Sequence, residues 1–178
     1  MQTVLVLDNI RSLYNVGSMF RTADGFGVAR IVLCGYTGTP EQHLSKIGKV
    51  ALGAEYSVPW EKGGATWRAI ERLKKQVYAI AGLERAEGSM PIASYRRPEK
   101  LALVVGNESR GLSPAVRKRL DVMLEIPMAG IKESFNVAVA CGIALYVLAS
   151  AGSGDDRRAR RVDGAKKGRK EGSGRASG

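Results

Sequence analysis

Apolar residues along the chain gather into short β-rich runs: TVLVL at 3–7, RIVLC at 30–34, VYAIA at 77–81, LALVV at 101–105 and VMLEI at 122–126, with a weaker YSVPW at 56–60. Segments of helical period lie between most of them. Val16, Met19, Phe20 and Ala23 keep the i, i+3, i+4, i+7 spacing of an amphipathic helix, which Gly25 and Gly27 then end. Ser113 and Pro114 read as the N-cap and first position of a basic helix running through Leu120. This alternation predicts an α/β fold with a mostly parallel sheet flanked by helices.

The last periodic segment, roughly 136–150, is apolar nearly all round. A helix packed on one sheet face shows a polar stripe, so something must cover the outer side of this one; a symmetric partner subunit is the simplest candidate. Its run VAVACGIALYVLASA, 137–151, is shorter than the roughly 20 residues a membrane span needs. The opening MQTVLVLDNI is too short and wrongly flanked for a signal peptide. Beyond 151 the sequence turns to glycine, serine and charge. The expected organisation is therefore one domain over 1–151 and a basic, disordered tail over 152–178.

Charge narrows the partners. The chain carries 28 Lys and Arg against 17 Asp and Glu, a net +11. Positions 151–178 hold nine basic and four acidic residues, so the tail supplies +5 and the rest +6. A chain this basic expects a polyanion, nucleic acid ahead of a membrane. Cys34 and Cys141 sit in apolar runs without a paired ligand motif, as buried thiols in a reducing, intracellular compartment do. His43 is the only histidine, which excludes a multi-histidine metal site and leaves Ser-His or Cys-His catalysis without a base near the polar loops. Neither a G-x-G-x-x-G nor a G-x-x-x-x-G-K-[ST] motif is present.

Ligands of open parallel sheets bind beyond the carboxyl ends of the strands. Three polar segments follow strands and are expected along one edge: DNIRSLYN at 8–15, GNESRG at 106–111 and PMAGIKESFN at 127–136. With the helix after the first, they offer Asn15, Arg21, Glu108, Ser134 and Asn136. Gly106 and Gly111 allow a sharp turn and close approach to a ligand. Arg21 lies roughly 150° from the centre of its helix's apolar stripe and points away from the core.

NVGSMFRTADGFGV (15–28), LVVGNESRGLS (103–113) and IPMAGIKESFNVAVACGIAL (126–145) resemble, in order, the three motifs of the SpoU, or TrmH, branch of the SPOUT RNA methyltransferases. The resemblance covers roughly residues 2–150. It implies transfer of a methyl group from S-adenosylmethionine to a ribose 2'-hydroxyl of tRNA or rRNA in the cytoplasm, without a metal. It also implies a C-terminal trefoil knot and a homodimer. Asn15 and Arg21 match the first motif, whose arginine is assigned to the target ribose and its phosphate; Glu108 matches the acidic residue of the second, Ser134 and Asn136 the polar pair of the third. Cofactor-holding backbone positions fall at Gly106, Ile126 and Phe135, with Gly111 and Met128 beside them. Phe135 departs from the more usual leucine. Candidate RNA contacts are Arg11, Lys46, Lys49, Arg110, Arg117, Lys118 and Arg119, with the tail. The rival reading is a non-catalytic RNA-binding or ribosome-assembly protein on the same fold, disfavoured by the intact polar set.

Overall fold

The computed structural model describes residues 1–151; the expected tail lies outside the described residues. Its sheet has seven strands, β1 (Gln2–Asp8), β2 (Arg30–Cys34), β3 (Trp60–Gly64), β4 (Ala79–Leu83), β5 (Met90–Pro91), β6 (Lys100–Val105) and β7 (Val122–Glu125), in the order β3-β2-β1-β6-β4-β7-β5. Every pairing is parallel. Strands β1, β2, β4 and β6 are buried along nearly their whole length, because helices cover both faces.

Side chains alternate between two cores. Leu5, Leu7, Ile31, Leu33, Leu101 and Leu103 face α1 (Leu13–Gly25), α2 (Pro40–Ala51), the single turn α3 (Ala54–Ser57) and α6 (Val137–Ala151). Val4, Val6, Val32, Ala102 and Val104 face α4 (Thr66–Lys75) and the single turn α5 (Pro114–Arg117). The stripe expected on α1 is its buried face: Val16, Met19, Phe20 and Ala23 are all buried, and Arg21 is exposed. Burial pushes the thiols of Cys34 and Cys141 up to about 12.

Several boundaries differ from the sequence pattern. YSVPW is not a strand. Its first residues form α3, which follows Gly53 in the left-handed region, and the strand begins at Trp60 and runs on through polar and glycine positions. Gly63 is required there, since a Cβ would stand 2.5 Å from Val32 Cγ1 and 2.6 Å from Cys34 Sγ. VYAIA starts two residues late, because Val77 takes a φ of 64° after the end of α4. The basic helix ends at Arg117 rather than Leu120 and continues as tight turns, Arg119 N–H to Val116 O and Leu120 N–H to Arg117 O.

Among the described residues no helix is long and apolar enough to cross a membrane. α1 and α2 pack closely at Gly17, where a Cβ would come within 2.5 Å of the Ile47 carbonyl and 3.1 Å of Val50 Cβ. Gly17→Ala is expected to destabilise the fold by about 1–3 kcal/mol, read as a lower midpoint of denaturant unfolding. An unchanged midpoint would show that the two helices separate freely.

Candidate active site at the carboxyl edge of the sheet

The three polar loops converge at the carboxyl ends of β1, β6 and β7. Glu108, at the apex of the loop after β6, accepts from the backbone N–H groups of Arg11 (3.1 Å) and Ser12 (3.1 Å) and from Asn15 Nδ2 (3.0 Å). Ser12 caps α1, so the carboxylate sits at the positive end of a helix whose own first turn has no acid. Partial burial alone would raise its pKa, but the N–H groups of Arg11, Ser12 and its own residue, with the Asn15 amide, outweigh it and hold the carboxyl below its usual range.

Asn15 also reaches the third loop: its Oδ1 accepts from Asn136 Nδ2 at 3.3 Å. Asn136 caps α6, accepting on Oδ1 from the N–H of Ala138 (2.9 Å) and of Val139 (3.4 Å). The cap of the last helix is therefore Asn136. Ser134 is exposed in the loop just before it.

Beside this chain of contacts opens a cavity of about 750 Å³. Gly106, Gly111, Ile126, Met128 and Phe135 all line it, with Glu108, Arg110 and Ser134; Asn15, Arg21 and Asn136 do not. A further wall comes from Leu83 at the end of β4 and the segment after it, residues 84–87, which the sequence pattern did not single out. Five glutamates (84, 87, 108, 125 and 133) and two arginines (85 and 110) line the space. An acidic lining within a chain of net +11 suits a cationic ligand and disfavours a phosphorylated one.

The glycines shape the loop from inside. A Cβ on Gly106 would lie 2.6 Å from Gly111 C and 2.8 Å from Leu112 N, so the close approach it permits is between two strands of the same loop. Gly111 has φ +64°, and a Cβ there would meet Glu84 Oε1 at 2.1 Å. Glu84 in turn holds the loop's exit. Its Oε2 accepts from Leu112 N (3.1 Å), its Oε1 from Arg117 Nη2 (2.6 Å), and Arg117 Nε donates to Leu112 O (3.0 Å). One ion pair thus grips both backbone polar groups of a single residue, Leu112.

A second ring of contacts lies across the loop's entry. Asn107 Nδ2 donates to Asn9 O (2.9 Å) and to Tyr36 Oη (2.8 Å), while its Oδ1 accepts from the N–H groups of Ser109 and Arg110. Tyr36 N–H donates to Asn9 Oδ1 at 3.2 Å. Neither Asn107 nor Tyr36 was marked by the sequence, because their partners stand 98 and 27 residues away.

The candidate RNA-contacting cations divide by their partners. Arg117 is committed to Glu84, and Arg119 to Glu71 at 2.9 Å. Among the described residues the side chains of Arg11, Arg21, Lys46, Lys49, Arg110 and Lys118 are in no ion pair, and all six residues are exposed.

The depressed Glu108 carboxyl sets a pH dependence. Its stabilisation is complete above the unfolded value near 4.5 and is lost as pH falls through the lower folded value. Wild type should therefore exceed Glu108→Gln in unfolding midpoint at neutral pH, with the gap closing below about pH 4. A gap independent of pH would show that the charge on Glu108 is not what ties the loops.

Comparison with known proteins gives the arrangement its context. The chain is 32% identical over 147 residues to the 23S rRNA (guanosine-2'-O-)-methyltransferase of Coxiella burnetii, covering 80% of this chain and 56% of that protein. It is likewise 32% identical over 145 residues to the 23S rRNA (guanosine(2553)-2'-O)-methyltransferase of Bacillus subtilis, covering 82% and 57%. The chain thus spans a little over half the length of these relatives. Its fold superposes on the AdoMet-bound rRNA methyltransferase from Sinorhizobium meliloti with a TM-score of 0.75 at 26% identity, covering 83% of this chain and 55% of that one. A structure described as giving insights into the 2-OH methylation of C/U34 on tRNA matches with a TM-score of 0.75 at 27% identity, covering 86% of this chain and 97% of that one. Residues 2–146 match the profile of the SpoU rRNA Methylase family, and the chain belongs to that family.

Proposed function

We propose that the protein transfers the methyl group of S-adenosylmethionine to a ribose 2'-hydroxyl of tRNA or rRNA. The observation that carries this reading is the acidic cavity of about 750 Å³ lined by the second and third family motifs, with Asn15 of the first tied to both through Glu108 and Asn136. Its dimensions and mixed lining fit a nucleoside joined to a cationic amino-acid tail. Gly106, Gly111, Ile126, Met128 and Phe135 would hold the cofactor, chiefly through backbone groups. Bound there, S-adenosylmethionine supplies an electrophilic methyl carbon on a positively charged sulfur.

The protein's own task is positioning. Holding a ribose oxygen in line at near-attack distance is worth about 7–11 kcal/mol. Asn15, Ser134 and Asn136 suit this as uncharged donors and acceptors, and Glu108 fixes Asn15 in place. Arg21 remains a guanidinium under ordinary conditions, so it is a poor proton acceptor. It grips the phosphate next to the target ribose and orients the hydroxyl, whose proton passes to a phosphate oxygen or to water. Help of that kind contributes about 10²- to 10⁴-fold.

RNA would approach over the unpaired cations Arg11, Lys46, Lys49, Arg110 and Lys118. Arg117 is better read as the brace of the cofactor loop than as an RNA contact. The domain over 1–151 would act as a cytoplasmic homodimer through α6, whose Val139 and Tyr146 are 50% and 62% exposed, with Phe26 packed edge-on against Tyr146 at 6.3 Å. The C-terminal trefoil knot belongs to the same reading; the sheet order, with β6 placed between β1 and β4 and β7 beyond β4, supports it.

The test is transfer of tritiated methyl from S-adenosylmethionine to RNA from cells lacking the gene. Arg21→Ala should lower kcat/KM for RNA by about 10²-fold or more while leaving calorimetric affinity for S-adenosylmethionine unchanged. Parallel loss of cofactor affinity would place Arg21 in the cofactor pocket instead, and unchanged transfer would remove it from the reaction.

A further inference from the structure

We propose that Tyr36 is the surface on which the base of the target nucleotide stacks. The inference rests on the reading of the site as an RNA methyltransferase centre. Tyr36 follows β2 at the carboxyl edge of the sheet and is 58% exposed. An exposed tyrosine ordinarily samples several rotamers, but this one is fixed at both ends. Its N–H is bound to Asn9 Oδ1 at 3.2 Å and its hydroxyl oxygen accepts from Asn107 Nδ2 at 2.8 Å. The turn that presents it is equally constrained: Asn9 and Gly35 have φ of 57° and 60°, and a Cβ on Gly35 would collide with Asn9 Oδ1.

The location matters as much as the rigidity. The hydroxyl end touches Asn107, which lines the cavity next to Glu108, so the ring extends outward from the rim of the proposed site. A ribose brought to that rim carries its base a few ångströms outside it, where an aromatic face of fixed orientation is available. Every base has a π-face, so such a platform accepts an unpaired nucleotide without dictating its identity. Fixing the ring in advance also removes the ordering cost that a mobile side chain would incur on binding. The substrate class is accordingly an RNA whose target nucleotide is unpaired or turned out of its helix.

Two variants separate stacking from bracing. Tyr36→Leu removes the ring, whereas Tyr36→Phe keeps it and removes only the oxygen that Asn107 holds. With RNA from cells lacking the gene, Tyr36→Leu should raise the half-saturating RNA concentration in the methyl-transfer assay by about five- to hundredfold, the range one stacked base supplies. Filter binding of the same RNA at about 0.2 M salt, where phosphate attraction is weakened, should show a loss of the same size. Tyr36→Phe, which keeps the face but loses the contact that fixes it, should show only a small part of the Tyr36→Leu loss, and calorimetric binding of S-adenosylmethionine should be unchanged in both. Unaltered RNA saturation and binding in Tyr36→Leu would overturn the proposal, as would an equal fall in cofactor binding in both variants, which would make Tyr36 a brace for Asn107. If wild type binds RNA in a Tyr36-dependent way but transfers no methyl, the enzymatic reading fails and the stacking surface stands.

Discussion

The carboxylate of Glu108 accepts from the Arg11 and Ser12 amides and from Asn15, and Asn15 hands the connection on to Asn136 at the start of α6. These few hydrogen bonds register the segment at 11–15 with two others that lie 93 to 121 residues further along the chain. The contact is favoured by the α1 terminus it faces, because the N–H groups there lack partners within the helix. It also decides where the loop after β6 can lie, and hence the shape of the cavity on the loop's other side. Glu84 and Arg117 hold that loop at its exit, Asn107 at its entry. The site is therefore a rigid loop fixed at three points, which is what a reaction governed by alignment needs.

Charge is divided to the same end. The chain as a whole is strongly basic, yet its cavity is lined by more carboxylates than guanidiniums. A phosphate backbone is attracted to the protein and discouraged from entering the slot, where a cationic ligand is favoured. The four ion pairs among the described residues all use acids of the α4 and α5 side or of the segment after β4: Glu61, Glu71, Asp121 and Glu84. They neutralise cations there and leave those of α1 and α2 free.

Much of this was legible in the sequence where one residue's environment is set by its near neighbours. β1, β2 and β6 were readable because strands covered on both faces are continuously apolar, and α1 because its stripe is simple. β3 escaped because an edge strand needs little apolar character, and its Gly63 is dictated by Val32 and Cys34 on the neighbouring strand. β5 has only two residues, too few for a pattern. The three loops were predicted to share an edge, and they do. What the sequence concealed were the supports: Glu84 acts on a peptide 28 residues away and Asn107 on Asn9 and Tyr36, with no local periodicity to betray either. Arg117 looked like one more basic residue until its ion pair was seen.

The account turns on one claim, that the edge of the sheet aligns a ribose hydroxyl with a methyl donor. Its most direct measurement is a map of 2'-O-methyl groups across tRNA and rRNA from cells with and without the gene, followed by incubation of the unmodified RNA with the purified full chain and S-adenosylmethionine. The account predicts at least one ribose methyl that vanishes with the gene and returns at the same nucleotide in the purified reaction. Identical maps, together with no transfer to either RNA by the folded protein, would contradict it.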